Sequence, residues 1–165
     1  MSEERINIAV EPGAAALRER VEKDYTDAMR RRDQAAVGTL RLIRAAFQEL
    51  AVARTDAKRS DFGRPLTEAD LVGALEKEIK KREEMIPVYE KAGRAERAAG
   101  ERAEVEIISR YVPAKIDRAA IAEVVQRLVA ELGPDFRKVM PAAAKELRGK
   151  ADGKLVQEVV KEQTG

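Results

Sequence analysis

The chain has 165 residues, of which 38% are charged and only 4% aromatic, and its formal net charge is +2. It contains no Cys and no His, which excludes thiolate nucleophiles, disulfides, Cys/His zinc sites and histidine-based catalytic triads. With so small a net charge, any nucleic-acid contact must rest on local patches and not on the chain as a whole.

Ala, Glu, Lys, Leu and Arg dominate, and alternating β-branched and aromatic runs are absent, so the composition predicts an all-α protein. Residues 1–11 read as a flexible arm, with Pro12 suited to a first helical turn. Leu17, Val21, Tyr25, Ala28 and Met29 then mark one helix face, ending in the cationic run Arg30, Arg31 and Arg32. A second helix over 35–54 carries Leu40, Ile43, Phe47 and Leu50, with Arg41 and Arg44 beside that stripe. The polar stretch 55–65 reads as a mobile loop. Thr67 and Asp70 form a capping-box pattern before a third helix with Leu71, Leu75, Ile79, Ile86 and Tyr89. Pro87 should kink this helix or end it near Ile86, and Gly93 closes the segment.

A fourth helix over 94–112 is stopped by Pro113. Asp117 caps a fifth with Ile121, Val124, Val125, Leu128 and Leu132. After a break at Gly133 to Asp135, a sixth helix bears Phe136, Val139, Met140, Ala144 and Leu147. Asp152 caps the last, with Leu155, Val156, Val159 and Val160 on one face. The expected architecture is an N-terminal long-helix hairpin or bundle (12–93) followed by a compact C-terminal three-helix module (94–165), with the fourth helix as a bridge.

The segment RGKADGKLVQEVVK, Arg148 to Lys161, has the look of a phosphate-binding loop. A nucleotide loop, however, reads G-x-x-x-x-G-K-[S/T] and follows a strand. Here three residues separate Gly149 from Gly153, Leu155 stands where the hydroxyl should be, and a helix precedes the motif. The segment is therefore a helix–turn–helix corner, with Gly149 ending one helix and Asp152 starting the next. Its cations Arg148, Lys150 and Lys154, beside a helix N-terminus, make a candidate phosphate contact. Arg137, Lys138 and Lys145 extend the basic surface, Lys138 and Lys145 sharing a face two turns apart. A second candidate cluster is Arg30, Arg31, Arg41 and Arg44. The five glutamates Glu76, Glu83, Glu84, Glu104 and Glu106 read as solvated helix faces. No catalytic residue, cofactor or metal site is expected.

KADGKLVQEVVKE (Lys150 to Glu162) resembles the C-terminal signature of the YqeY family, a module also found as the tail of GatB, the B subunit of the glutamine-dependent aminoacyl-tRNA amidotransferase. Residues 28–53, 89–116 and 136–154 resemble other family segments in the same order. The resemblance implies two all-α pieces and, by analogy with the GatB tail, contact with tRNA. It also implies an inherited activity, carbon–nitrogen ligation with glutamine as amido donor. That activity needs a glutaminase nucleophile and an ATP site, and neither has a counterpart in this sequence. The expected function is a non-catalytic accessory module binding tRNA or another structured RNA. The alternatives are an adaptor for amidotransferase or other aminoacyl-tRNA-related proteins, and the ligase itself. The absence of a signal-peptide pattern or a long apolar run predicts a cytoplasmic location with no membrane contact.

Overall fold

The computed structural model describes residues 7–165, which form seven helices: α1 (Pro12–Arg30), α2 (Gln34–Ala53), α3 (Glu68–Lys91), α4 (Ala95–Ser109), α5 (Arg118–Leu132), α6 (Phe136–Glu146) and α7 (Gly153–Thr164). The expected all-α class is what is found. Helix starts follow from local chemistry. Asp33, Thr67, Asp117, Asp135 and Asp152 each accept a backbone N–H of the following turn, and Thr67 and Asp70 complete a reciprocal capping box.

The chain divides into two compact units, the first ending at Val112 and the second running Pro113–Gly165. The division falls after α4 and not near Gly93, because α4 packs chiefly along α3. Ile108 and Tyr111, at the end of that segment, lie in the same core as Leu17, Val21, Leu40, Ile43, Phe47, Leu71 and Leu75. The second unit has its own core of Ile121, Val125, Leu128, Val139, Ala143, Leu147, Val156, Val159 and Val160. Apolar periodicity locates these faces well, with three exceptions. Met29 and Leu132 are exposed, and in α6 it is Ala143, not Ala144, that is buried.

The expected arm at 1–11 lies in part outside the described residues. From Ala9 to Glu11 the backbone is fixed: Leu66 N–H donates to the Ala9 carbonyl at 2.9 Å, and Glu11 N–H donates to the Leu66 carbonyl at 2.9 Å. The 55–65 loop, expected to be mobile, is likewise organised. Arg54, only 7% exposed, donates through Nη1 to the carbonyls of Arg64 and Pro65, both at 3.0 Å. It also pairs through Nε with Asp61 at 3.0 Å and through Nη2 with Asp70 at 2.9 Å. One guanidinium thus ties the end of α2 to the loop and to the first turn of α3.

Helix α3 continues through Pro87 to Lys91. Arg82, 8% exposed, bonds to Glu78 one turn back on α3 and joins the helix to α4 through Glu104, each at 2.6 Å. Glu104 is therefore an ion-pair partner of a buried arginine and not merely a solvated residue.

Hydrogen bonding to Arg82 holds the Glu78 carboxyl below its ordinary value of 4.5. At Asp70, burial opposes ionisation. The Thr67 N–H and hydroxyl, together with Arg54, outweigh it and hold the carboxyl below 3.8. Groups depressed on folding contribute stability that is complete above their unfolded values and lost as pH falls through the folded ones. Thermal melts should therefore show a midpoint that is flat above about pH 5 and falls below about pH 4. The fall should be shallower in Glu78→Gln; an equally steep fall in that variant would show that Glu78 carries no part of it.

Candidate nucleic-acid interface

The corner between α6 and α7 is built by short-range constraints. Helix α6 ends at Glu146, and the chain turns through Gly149 at φ +73°. Lys150 N–H donates to the Leu147 carbonyl at 3.0 Å, and the Lys150 carbonyl accepts Ile116 N–H at 2.9 Å. Leu147 and Ala151 are buried on the inner side of the turn. Asp152 then caps α7 by accepting Leu155 N–H at 3.1 Å. That N–H is the main reason the Asp152 carboxyl lies below its usual range, and the charges of Lys115 and Lys154 act in the same direction.

At Gly149 a Cβ would meet nothing within 4 Å, so only the left-handed backbone opposes a side chain. Gly149→Ala should cost about 1 kcal/mol in a thermal or denaturant melt, and Gly149→Asn less, because Asn tolerates this region. Equal stability of Ala and Gly there would contradict the assigned backbone.

The surface of this unit is charge-sorted. Arg118 on α5 pairs with Glu158, at 3.4 Å, and with Glu162 on α7. Arg127 pairs with Glu131, at 3.4 Å, and with Glu146 on α6. Four of the unit's eight carboxylates are thus drawn to two arginines of α5. Three others, Asp117, Asp135 and Asp152, are helix caps.

Arg137, Lys138, Lys145, Arg148, Lys150 and Lys154 are all exposed. Among the described residues, none of the six forms an ion pair. On α6 the buried residues are Val139 and Ala143, which places Lys138 and Lys145, about 20° apart around the axis, on the opposite face. The six sequence-selected cations therefore belong to one helix, one turn and the first turn of the next helix.

The second expected cluster does not stay together as a set of free cations. Arg30 lies 3.8 Å from Asp27, and Arg31 is the C-cap of α1. Arg41 and Arg44 instead join Arg18 in a groove between α1 and α2. Arg18 was not selected from the sequence. The signal was present as mirrored spacing: Arg18, Glu22 and Tyr25 on α1 oppose Arg41, Arg44 and Gln48 on α2. The charge-sorting role of Arg118 and Arg127 was also missed, since it links residues up to 44 positions apart.

Among the described residues, no helix is long and apolar enough to cross a membrane. Nor is there a group of three or more carboxylates that could hold a metal ion.

Fold and surface together define an all-helical protein of two units, the second of which presents a solvent-open, cation-bearing helix–turn–helix corner. The chain belongs to the YqeY family: the family model described as Yqey-like protein matches residues 18–164, nearly the whole chain and the corner with it. None of the curated proteins compared with it matches the chain.

Proposed function

We propose that the protein is a non-catalytic accessory module whose second unit docks tRNA or another structured RNA. The observation that carries this reading is the charge sorting of that unit. Among the described residues, the six exposed cations on α6, the turn and α7 form no ion pair, while two α5 arginines hold four of the unit's glutamates. Lysines and arginines arranged in this way position a phosphate backbone and do not read bases. The chain has only three Tyr and three Phe and no Trp, which disfavours stacking on single strands and favours a grip on the shape of folded RNA. The likeness of the corner to the tail of the amidotransferase B subunit points toward tRNA as the first RNA to try.

A gel-shift titration of the full chain with tRNA at low salt tests the proposal. Binding should be detectable and should be lost or sharply weakened in the double variant Lys150→Glu/Lys154→Glu. No binding at low salt, or binding indifferent to this double reversal, would end it. A nuclease-resistant protein partner recovered in place of RNA would favour the adaptor reading. Glutamine-dependent ATP turnover by the pure protein would favour the ligase reading.

A further inference from the structure

The groove between α1 and α2 lies in the first unit and plays no part in the docking surface proposed above. It is open to solvent, has a volume of about 440 Å³, and is lined by Arg18, Glu22, Arg41, Arg44 and Gln48 over Val21 and Phe47. That volume is within the range of small-ligand sites, roughly 300–1,000 Å³. Its floor is rigid, because Val21 is 1% and Phe47 4% exposed.

Two of the three arginines above that floor, Arg41 and Arg44, are held in place. Arg44 donates through Nε to Glu22 Oε1 at 2.6 Å, and its guanidinium lies over the Tyr25 ring at 4.4 Å from the centroid. Arg41 donates through Nε to the Tyr25 hydroxyl at 3.2 Å. In both residues the Nε–H is used within the α1–α2 hairpin, which leaves the Nη atoms to bind a ligand. Arg18 is half-buried and makes no ion pair among the described residues. Three guanidinium groups and one carboxylate leave a local excess of two positive charges. Planar guanidinium forks match the oxygens of a phosphate or carboxylate two at a time, and an arginine already fixed by a neighbour loses less freedom on binding.

We infer that the α1–α2 groove is a binding site for a phosphate dianion, held by Arg18, Arg41 and Arg44. The dianion is either a free phosphate ester or the terminal phosphate of a larger ligand. The charge excess matches a dianion, and the apolar floor accommodates the group that carries it.

The test is calorimetric titration of the full chain with inorganic phosphate and with phenyl phosphate, at ionic strength held constant with chloride. Saturable one-to-one binding is expected. It should weaken by about tenfold or more in Arg18→Gln and in Arg44→Gln, the loss expected for one charge-assisted contact. Arg18→Gln is the cleaner variant, since it breaks no internal ion pair, and its melting curve should match that of the parent. Lys150→Glu/Lys154→Glu should leave this affinity unchanged, so failure here and failure of the RNA proposal are distinguishable.

A short oligonucleotide with a 5′-phosphate, compared with the same one bearing a 5′-hydroxyl, separates the two sources. Preference for the phosphorylated form supports a terminal phosphate, and phenyl phosphate binding without that preference supports a free ester. Non-saturable titrations, or an affinity untouched in Arg18→Gln, would overturn the site.

Discussion

Replacing Arg54 with Met lowers the stability of the first unit by about 2–4 kcal/mol, read from denaturant or thermal melts. The side chain is nearly buried and makes four contacts of 2.9–3.0 Å, to two carboxylates and two backbone carbonyls. Methionine fills much the same space but donates nothing. The Arg64 and Pro65 carbonyls then lose their donors, and Asp61 and Asp70 lose their counter-charge. Removing one partner of a buried ionic network costs about 3–5 kcal/mol. The figure is lower here because the side chains of Asp61 and Asp70 keep 25% and 30% of their exposure, so water screens part of the loss. Lysine cannot substitute, since a single ammonium does not reach four acceptors in a planar fork. Proteolysis should report the same event locally, with cleavage in 55–65 appearing in Arg54→Met before the helices unfold. A variant as stable as the parent, with the loop still protected, would show that the network is incidental.

TRNA affinity should fall by roughly 300- to 2,000-fold when monovalent salt rises from about 50 to about 200 mM, if all six cations of the α6–α7 corner contact phosphates. Each neutralised phosphate releases counterions, giving a slope of about −0.7 to −0.9 per contact in a log–log plot. Six contacts therefore predict a slope near −4 to −5. Lys150→Ala/Lys154→Ala should reduce its magnitude by about 2 while leaving helicity intact, because both side chains are exposed and carry no ion pair among the described residues. The dependence on salt, together with its change on mutation, separates phosphate docking from an apolar protein contact, which salt weakens little. Arg118 and Arg127 offer a second handle. Substituting either with Gln frees two glutamates beside the docking surface and should weaken RNA binding without touching a contact residue. A slope near zero, or one unaltered by the double alanine variant, would remove the electrostatic docking model.

Several features of this protein were legible in the residues themselves. Helix positions follow from apolar spacing because a 3.6-residue period needs only near neighbours. Thr67, Asp117 and Asp152 announced their helix starts because capping joins a side chain to an N–H within three residues. Gly149 announced the corner because a left-handed residue there has little cost only for Gly. The six cations at that corner were likewise visible, since they lie within 18 positions of one another.

Tertiary structure alone decided the rest. It assigned α4 to the first unit, because packing along α3 is a property of two surfaces and not of the Gly93 turn. It turned 55–65 from a free loop into a segment fixed by Arg54, whose four acceptors are spread from Asp61 to Asp70. It sorted the charges, pairing Arg118 with acids of α7 and Arg127 with Glu146 of α6, while the corner cations form no ion pair among the described residues. It also brought Arg18 beside Arg41 and Arg44. In each case the deciding interaction joins residues distant in sequence, so local pattern carries its ingredients but not its geometry.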